Sequence, residues 1–142
     1  MPLPEHLARY RLADLFLDTF NYNAGATASN ALWAGLPVLT KMGKGYTARM
    51  AGSLLNAIEL PELITTTEEA YETLALDLAT NPQKLKAVKK KLLANRDTKP
   101  LFDTALFARH LEEAYRRIHD LYNAGTKPEH IVINNRAGSL AR

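Results

Sequence analysis

The feature that most narrows the fold is the run from Leu12 to Thr40, LADLFLDTFNYNAGATASNALWAGLPVLT. Its first seven residues, Leu12 to Asp18, form a short apolar run bounded by acids, which reads as a strand buried on both faces. Small and polar residues follow, and the spacing predicts a helix over Thr27 to Ala34. Gly35 stands where a left-handed C-terminal cap belongs, and Pro37 comes two residues later. Pro37 to Thr40, PVLT, then reads as a second short buried strand.

The rest of the chain continues this alternation. Met50, Leu54 and Ile58 recur at helical steps, with Ala51 and Leu55 widening the apolar face, and Leu63 to Thr65 is a possible third strand. Thr66 with Glu69 has the spacing of a capping box opening a helix on Tyr71, Leu74 and Leu78. Asn81-Pro82 starts another, with Leu85, Val88 and Leu92 inward. A long helix is expected from about Asp103 to Ala124, with Phe107, Leu111, Ala114, Ile118, Leu121 and Tyr122 along one side and Gly125 ending it. At the front, Pro4 suits the first turn of a short helix reaching Arg11. This order describes an α/β fold: a short parallel sheet with flanking helices, closed by a C-terminal helical segment. One unit is expected over residues 1–133, with 134–142 as a flexible tail.

Composition removes several classes of function. A length of 142 residues fits one domain. With no cysteine, disulfides, thiolate metal sites and a cysteine nucleophile are all excluded. No apolar run approaches the roughly 18 residues of a membrane span, so no membrane partner and a cytoplasmic location are expected. A net charge of +3 is too small to call for nucleic acid. The lysines from Lys84 to Lys99 lie opposite Leu85, Val88 and Leu92 without interleaved aromatics, as on a solvated helix face. None of His6, His110, His119 and His130 has the spacing of a paired metal site, and His110 with Glu113 reads as an exposed helical pair. Trp33, Tyr115 and Tyr122 sit among aliphatics at helical spacing and are expected in the core. Asp14 is read as a surface or capping residue, and Asp18 as the acid at the site-facing strand end.

In an open parallel sheet, ligands bind beyond the carboxyl ends of the strands. There the chain passes from Asn23 to Ala28 into a helix N-terminus, where backbone N–H groups lack partners and the dipole favours an anion. Ala24, Gly25, Ala26 and Ala28 offer little bulk, so a phosphate reaches those groups directly, with Thr27 or Ser29 adding a hydroxyl. The plainer reading is a tight turn with Thr27 as N-cap.

PLPEHLARYRLADLFLDT, ATASNALWAGLPVLT, ARMAGSLL, LPELIT and PLFD together resemble the C-terminal catalytic half of the O-linked N-acetylglucosamine (O-GlcNAc) transferase family, glycosyltransferase family 41. The resemblance runs from Pro2 to about Ile133. It implies a Rossmann-like half of a GT-B C-terminal lobe and a uridine diphosphate (UDP) sugar as donor substrate, with no metal. In bacterial members this half usually follows tetratricopeptide repeats and the other lobe. The family's histidine in PEHL falls on His6 and the next arginine on Arg9, both beside the uridine in relatives. The family's diphosphate loop, His-Thr-Thr-Ala-Ser-Asp, is here Gly25, Ala26, Thr27, Ala28, Ser29 and Asn30. The histidine, the first threonine and the ribose-holding aspartate are therefore replaced. The resemblance also implies that catalytic residues and the acceptor-peptide surface lie on parts beyond this segment, so the chain is expected to be a truncated donor-binding lobe that does not turn over alone. The alternative is a non-catalytic interaction module that kept the fold. The open edge of the first strand is expected to take the family's N-terminal lobe or a second copy.

Overall fold

The computed structural model describes residues 2–133. Its centre is a three-stranded parallel sheet of order β1-β2-β3, with β1 at Phe16–Leu17, β2 at Val38–Lys41 and β3 at Ile64–Thr65. Phe16 pairs with Val38 and Leu17 with Leu39, while Thr40 pairs with Ile64 and Lys41 with Thr65. All three strands therefore run the same way, and each connection between them must carry a helix. These are α2 (Ala26–Trp33) and α3 (Met50–Ala57). A first helix, α1 (Leu3–Arg9), precedes the sheet, and α4 (Glu68–Thr80) and α5 (Pro82–Arg96) follow it. The chain divides into two compact units, Met1–Phe102 and Asp103–Arg142, a division that the sequence reading did not draw.

The core of the first unit follows from helix spacing. Ala28, Ala31 and Leu32 of α2 and Leu55 of α3 are buried with Ile58, Leu60 and Leu63 beside Val38. Leu78 of α4 and Val88 and Leu92 of α5 close the same cluster. Gly35 has φ +86°, and the amides of Gly35 and Leu36 reach back to the carbonyls of Leu32 and Ala31 at 3.1 and 2.8 Å. That is the left-handed ending the sequence predicts. The end of α3 uses the same bonding with Glu59 at φ +56°, a stop that sequence reasoning missed because no glycine marks it.

Several expectations need correction. The first strand is two residues rather than seven, because Tyr10–Leu12 turns as a 3-10 helix and only Phe16 and Leu17 reach the ladder. It is not buried on both faces: β1 is an edge strand, and Leu17 is 57% exposed. Trp33 lies outside the core at 47% exposed, because Ala28, Ala31 and Leu32 already occupy the inner face. Its ring instead meets Phe102 edge-on at 5.1 Å and lies under the Arg96 guanidinium at 5.4 Å. The cap of α4 falls on Thr67, whose hydroxyl accepts from the amide of Ala70 at 3.1 Å, one residue past the box read at Thr66.

In the second unit, α6 runs Thr104–Asn123, with the Asp103 carboxylate accepting from Leu106 N–H at 2.8 Å as N-cap and Gly125 at φ +66° as its stop. Tyr115 and Tyr122 are exposed rather than core residues. No second apolar element stands beside α6 among the described residues of its own unit to cover them. Glu113 is held by Arg117 at 2.9 Å instead of pairing with His110. The expected tail, 134–142, lies outside the described residues.

The β1 edge makes a testable point. Phe16 and Asp18 turn their N–H groups to β2, bonding Pro37 and Leu39 carbonyls at 2.8 and 3.0 Å. Alternation along a parallel strand then turns the Leu17 N–H and C=O to the open side, next to its exposed side chain. Such an edge recruits another strand. The chain is expected to self-associate, and Leu17→Lys to shift it toward monomer in light scattering. An unchanged mass distribution would show that the contact lies elsewhere.

Candidate functional site

The site is built at the carboxyl end of β1, where the chain must leave the sheet. Asp18, 4% exposed, is its pivot. Its Oδ1 accepts from the amides of Thr19 at 2.9 Å and Ala24 at 2.7 Å, and its Oδ2 accepts from the Thr40 hydroxyl at 2.6 Å. The Thr65 hydroxyl in turn donates to the Thr40 carbonyl at 3.0 Å, so one line of bonds links the ends of all three strands. The loop between Thr19 and Ala24 is tied to the next loop as well. The amide of Asn23 reaches the Thr47 carbonyl at 3.0 Å, and the Thr47 hydroxyl reaches the Asn21 carbonyl at 3.0 Å. Asn23 also donates through Nδ2 to the Thr19 carbonyl at 2.9 Å, but its Oδ1 is buried without a hydrogen-bond partner.

Beside this loop opens a cleft of about 350 Å³, lined by residues that include Asp18, Thr19, Tyr22, Asn23, Gly25 and Thr27. Its size falls within the range of small-molecule sites, roughly 300–1,000 Å³. The α2 N-terminus gives onto it. Gly25 is the N-cap, at φ −99° and ψ −89°, and no side chain caps the helix. The first amide of this turn with a backbone acceptor is that of Ser29, bonded to the Gly25 carbonyl at 2.9 Å. The earlier amides of the turn are the groups an anion would satisfy. Thr27 is therefore not the N-cap that the plainer reading expected; it stands inside the first turn and lines the cleft.

Near the end of β1, outside the cleft lining, Phe20 meets Tyr71 edge-on at 5.0 Å and carries the Lys41 ammonium over its ring at 4.2 Å. Tyr71 donates to the Asp18 carbonyl at 3.0 Å. Burial, and secondarily the charge of Asp18, holds the Tyr71 phenol above its ordinary pKa.

The sequence-predicted residues come together in part. Gly25 and Thr27 line the cleft, while Ala26 is exposed and Asn30 is half-buried one turn into α2. His6 and Arg9 lie on α1, which reaches the same helix start through Tyr10. The Tyr10 hydroxyl stands 3.4 Å from both the Thr27 carbonyl and His6 Nε2, two long contacts, and the His6 and Tyr10 rings meet edge-on at 5.4 Å. Arg9 is on the exposed side of α1. Sequence reasoning missed Tyr10. Its four-residue step from His6 was visible, but its partner across the fold was not.

The other candidates resolve as structural features. Three of the five lysines of α5 are engaged with acids: Lys84 with Asp77, Lys89 with Asp14 at 2.6 Å and Lys91 with Glu62 at 2.7 Å; Lys99, beyond the helix, meets Glu59 at 2.7 Å. The face is solvated, with three of its lysines also tied to acids on neighbouring segments. Lys84, and secondarily Asn81, holds the Asp77 carboxyl below its ordinary pKa. A second cleft, of about 430 Å³, lies near Asp14 and Lys89 over an aliphatic floor of Leu78, Pro82 and Leu85. Among the described residues no three His, Asp or Glu side chains cluster as metal ligands, and no helix is long and apolar enough to cross a membrane.

Comparison with known proteins adds the family context. Residues 1–111 match the family described as Glycosyl transferase family 41. A probable UDP-N-acetylglucosamine–peptide N-acetylglucosaminyltransferase of Arabidopsis thaliana, SEC, is 40% identical over 130 residues, covering 91% of this chain and 13% of the relative. The UDP-N-acetylglucosamine–peptide N-acetylglucosaminyltransferase of Caenorhabditis elegans is 32% identical over 130 residues, covering 92% and 11%. A solved mutant of the Thermobaculum terrenum O-GlcNAc transferase superposes with a TM-score of 0.77 at 36% identity, over 82% of this chain and 22% of that one. The fold is therefore the Rossmann-like α/β arrangement that the sequence predicts. The chain spans about an eighth of the length of these curated relatives.

Proposed function

This chain belongs to glycosyltransferase family 41, and on that premise we propose that it holds the diphosphate of a UDP-sugar donor at the N-terminus of α2. The observation that carries this reading is the uncapped first turn of α2 beside the cleft at the end of β1. Backbone amides and the Thr27 hydroxyl take the phosphate oxygens, and no metal is needed because the helix end already supplies partial positive charge. His6 and Arg9 take the uridine side, with α1 packed through Tyr10 onto the Thr27 carbonyl. Asn30 takes the ribose hydroxyls as a neutral partner.

UDP-N-acetylglucosamine is the donor and a protein hydroxyl the acceptor in the reaction this lobe serves. Transfer needs a positioned acceptor and stabilisation of the departing diphosphate at the same moment. We assign those tasks to parts of the family's chain outside these 142 residues, so donor binding without turnover is the expected behaviour of this chain alone.

Calorimetric titration with UDP tests the reading. Saturable heat is expected, equal with magnesium or with a chelator, and weakened by Arg9→Ala. No heat at millimolar UDP would favour the second reading, an interaction module without donor chemistry, which the replacements at Gly25, Ala26 and Asn30 already motivate.

A further inference from the structure

Asp18 touches no part of the α2 amide turn, yet both ends of the loop that leads to that turn are bonded to its carboxylate. One oxygen, Oδ1, collects the amides of Thr19 and Ala24, the first and last residues of the loop. The other oxygen is fixed to Thr40 on the central strand. Two donors six and one residues away are thereby pinned to one point, and that point is pinned to the sheet. All three recorded partners are neutral donors. A buried carboxylate with such partners is held by geometry rather than by a countercharge.

The loop needs such an anchor. It contains Asn21 at φ +66°, a left-handed residue that is not glycine, and the buried, unpartnered Oδ1 of Asn23. Both features oppose the observed shape. The charge itself is a disadvantage here, since an anion beside a diphosphate site repels the ligand. What Asp18 supplies here is its acceptor geometry, with one oxygen holding both loop amides and the other the Thr40 hydroxyl.

We infer that Asp18 is a positioning residue, which fixes the Thr19–Ala24 loop and through it the approach to the α2 amides that receive the donor. This rests on the donor reading above and adds a role that the diphosphate contacts themselves do not contain. Because geometry and charge act in opposite directions, two substitutions separate them. Asp18→Asn keeps an acceptor for both amides and presents an NH2 group to Thr40 Oγ1, while removing the charge. Asp18→Ala removes charge and acceptors together.

The experiment is amide hydrogen exchange on the full chain, wild type and variants, paired with UDP titration. In Asp18→Ala, exchange of the Thr19 and Ala24 amides is expected to accelerate about tenfold or more while Leu39 and Leu55 keep their protection. UDP affinity should fall about tenfold. Asp18→Asn should keep both amides protected and bind UDP at least as well as wild type. Should Asp18→Ala fold poorly, Thr40→Val removes only the Oδ2 contact and is expected to loosen the same two amides to a smaller extent. If Asp18→Asn behaves like Asp18→Ala, charge is the operative property and the inference is overturned. Unchanged exchange at Thr19 and Ala24 in Asp18→Ala and Thr40→Val overturns it as well. Absence of UDP binding by the wild-type chain overturns the donor reading and the loop's part in it, while exchange alone still decides whether Asp18 fixes the loop.

Discussion

Replacing Gly25 by His, Ala26 by Thr and Asn30 by Asp together is expected to raise affinity for UDP on the order of a hundredfold, at about 1 kcal/mol for each restored contact. The three positions are those at which this chain departs from the family's loop, and the structure gives each of them room. A Cβ added at Gly25 would meet Met50 Cγ at 3.6 Å, an ordinary van der Waals contact. The backbone there has negative φ, outside the left-handed region that favours glycine. Ala26 is exposed at the first position of α2, where a hydroxyl adds a donor without disturbing packing. Asp at position 30 restores a charged acceptor, and charged hydrogen bonds are roughly twice as strong as neutral ones. Calorimetry on the triple variant and the three single ones measures the effect and its additivity. A triple variant that binds no better than wild type would mean that the ligand, if any, does not lie against this loop.

The second large effect concerns stability. Leu32→Ala is expected to cost about 2–5 kcal/mol, because Leu32 is fully buried and the cavity left behind cannot collapse against a sheet. Set against a total of about 5–15 kcal/mol for an ordinary domain, the loss is a large share. Urea unfolding should show a lower midpoint with an unchanged slope. Trp33→Ala, one residue on, removes a larger side chain yet should cost less, because nearly half of Trp33 is exposed. The reverse ranking would mean that the Trp33, Phe102 and Arg96 cluster, and not the Leu32 face, secures α2.

Much of the fold was legible because its signals are local. Gly35 and Pro37 announce the end of α2, and the four-residue recurrence of Met50, Leu54 and Ile58 announces α3. Strand extent was not legible. An apolar run such as Leu12 to Asp18 reports hydrophobicity, whereas the ladder takes only the residues that reach a partner, here Phe16 and Leu17. The exposure of Trp33 was recoverable, since Ala28, Ala31 and Leu32 mark an inner face that it does not share. In the site, the small residues from Ala24 to Ala28 pointed to the helix N-terminus, and the family resemblance to His6, Arg9 and Asn30. The role of Asp18 was hidden because its anchoring partner, Thr40, is 22 residues away. Tyr10 was hidden in the same way by its distance from Thr27.

The all-parallel sheet also dictates an order of events on the ribosome. Phe16 finds its ladder partner only at Val38, and Thr40 finds its own only at Ile64. β1 therefore emerges long before β2 exists, and during that interval the side that faces β2 has no strand to bond. Pairings this remote are slow to form, and an apolar segment kept waiting invites wrong associations. Translation speed between the codons for Asp18 and Val38, and chaperone capture of the nascent segment, should consequently affect yield.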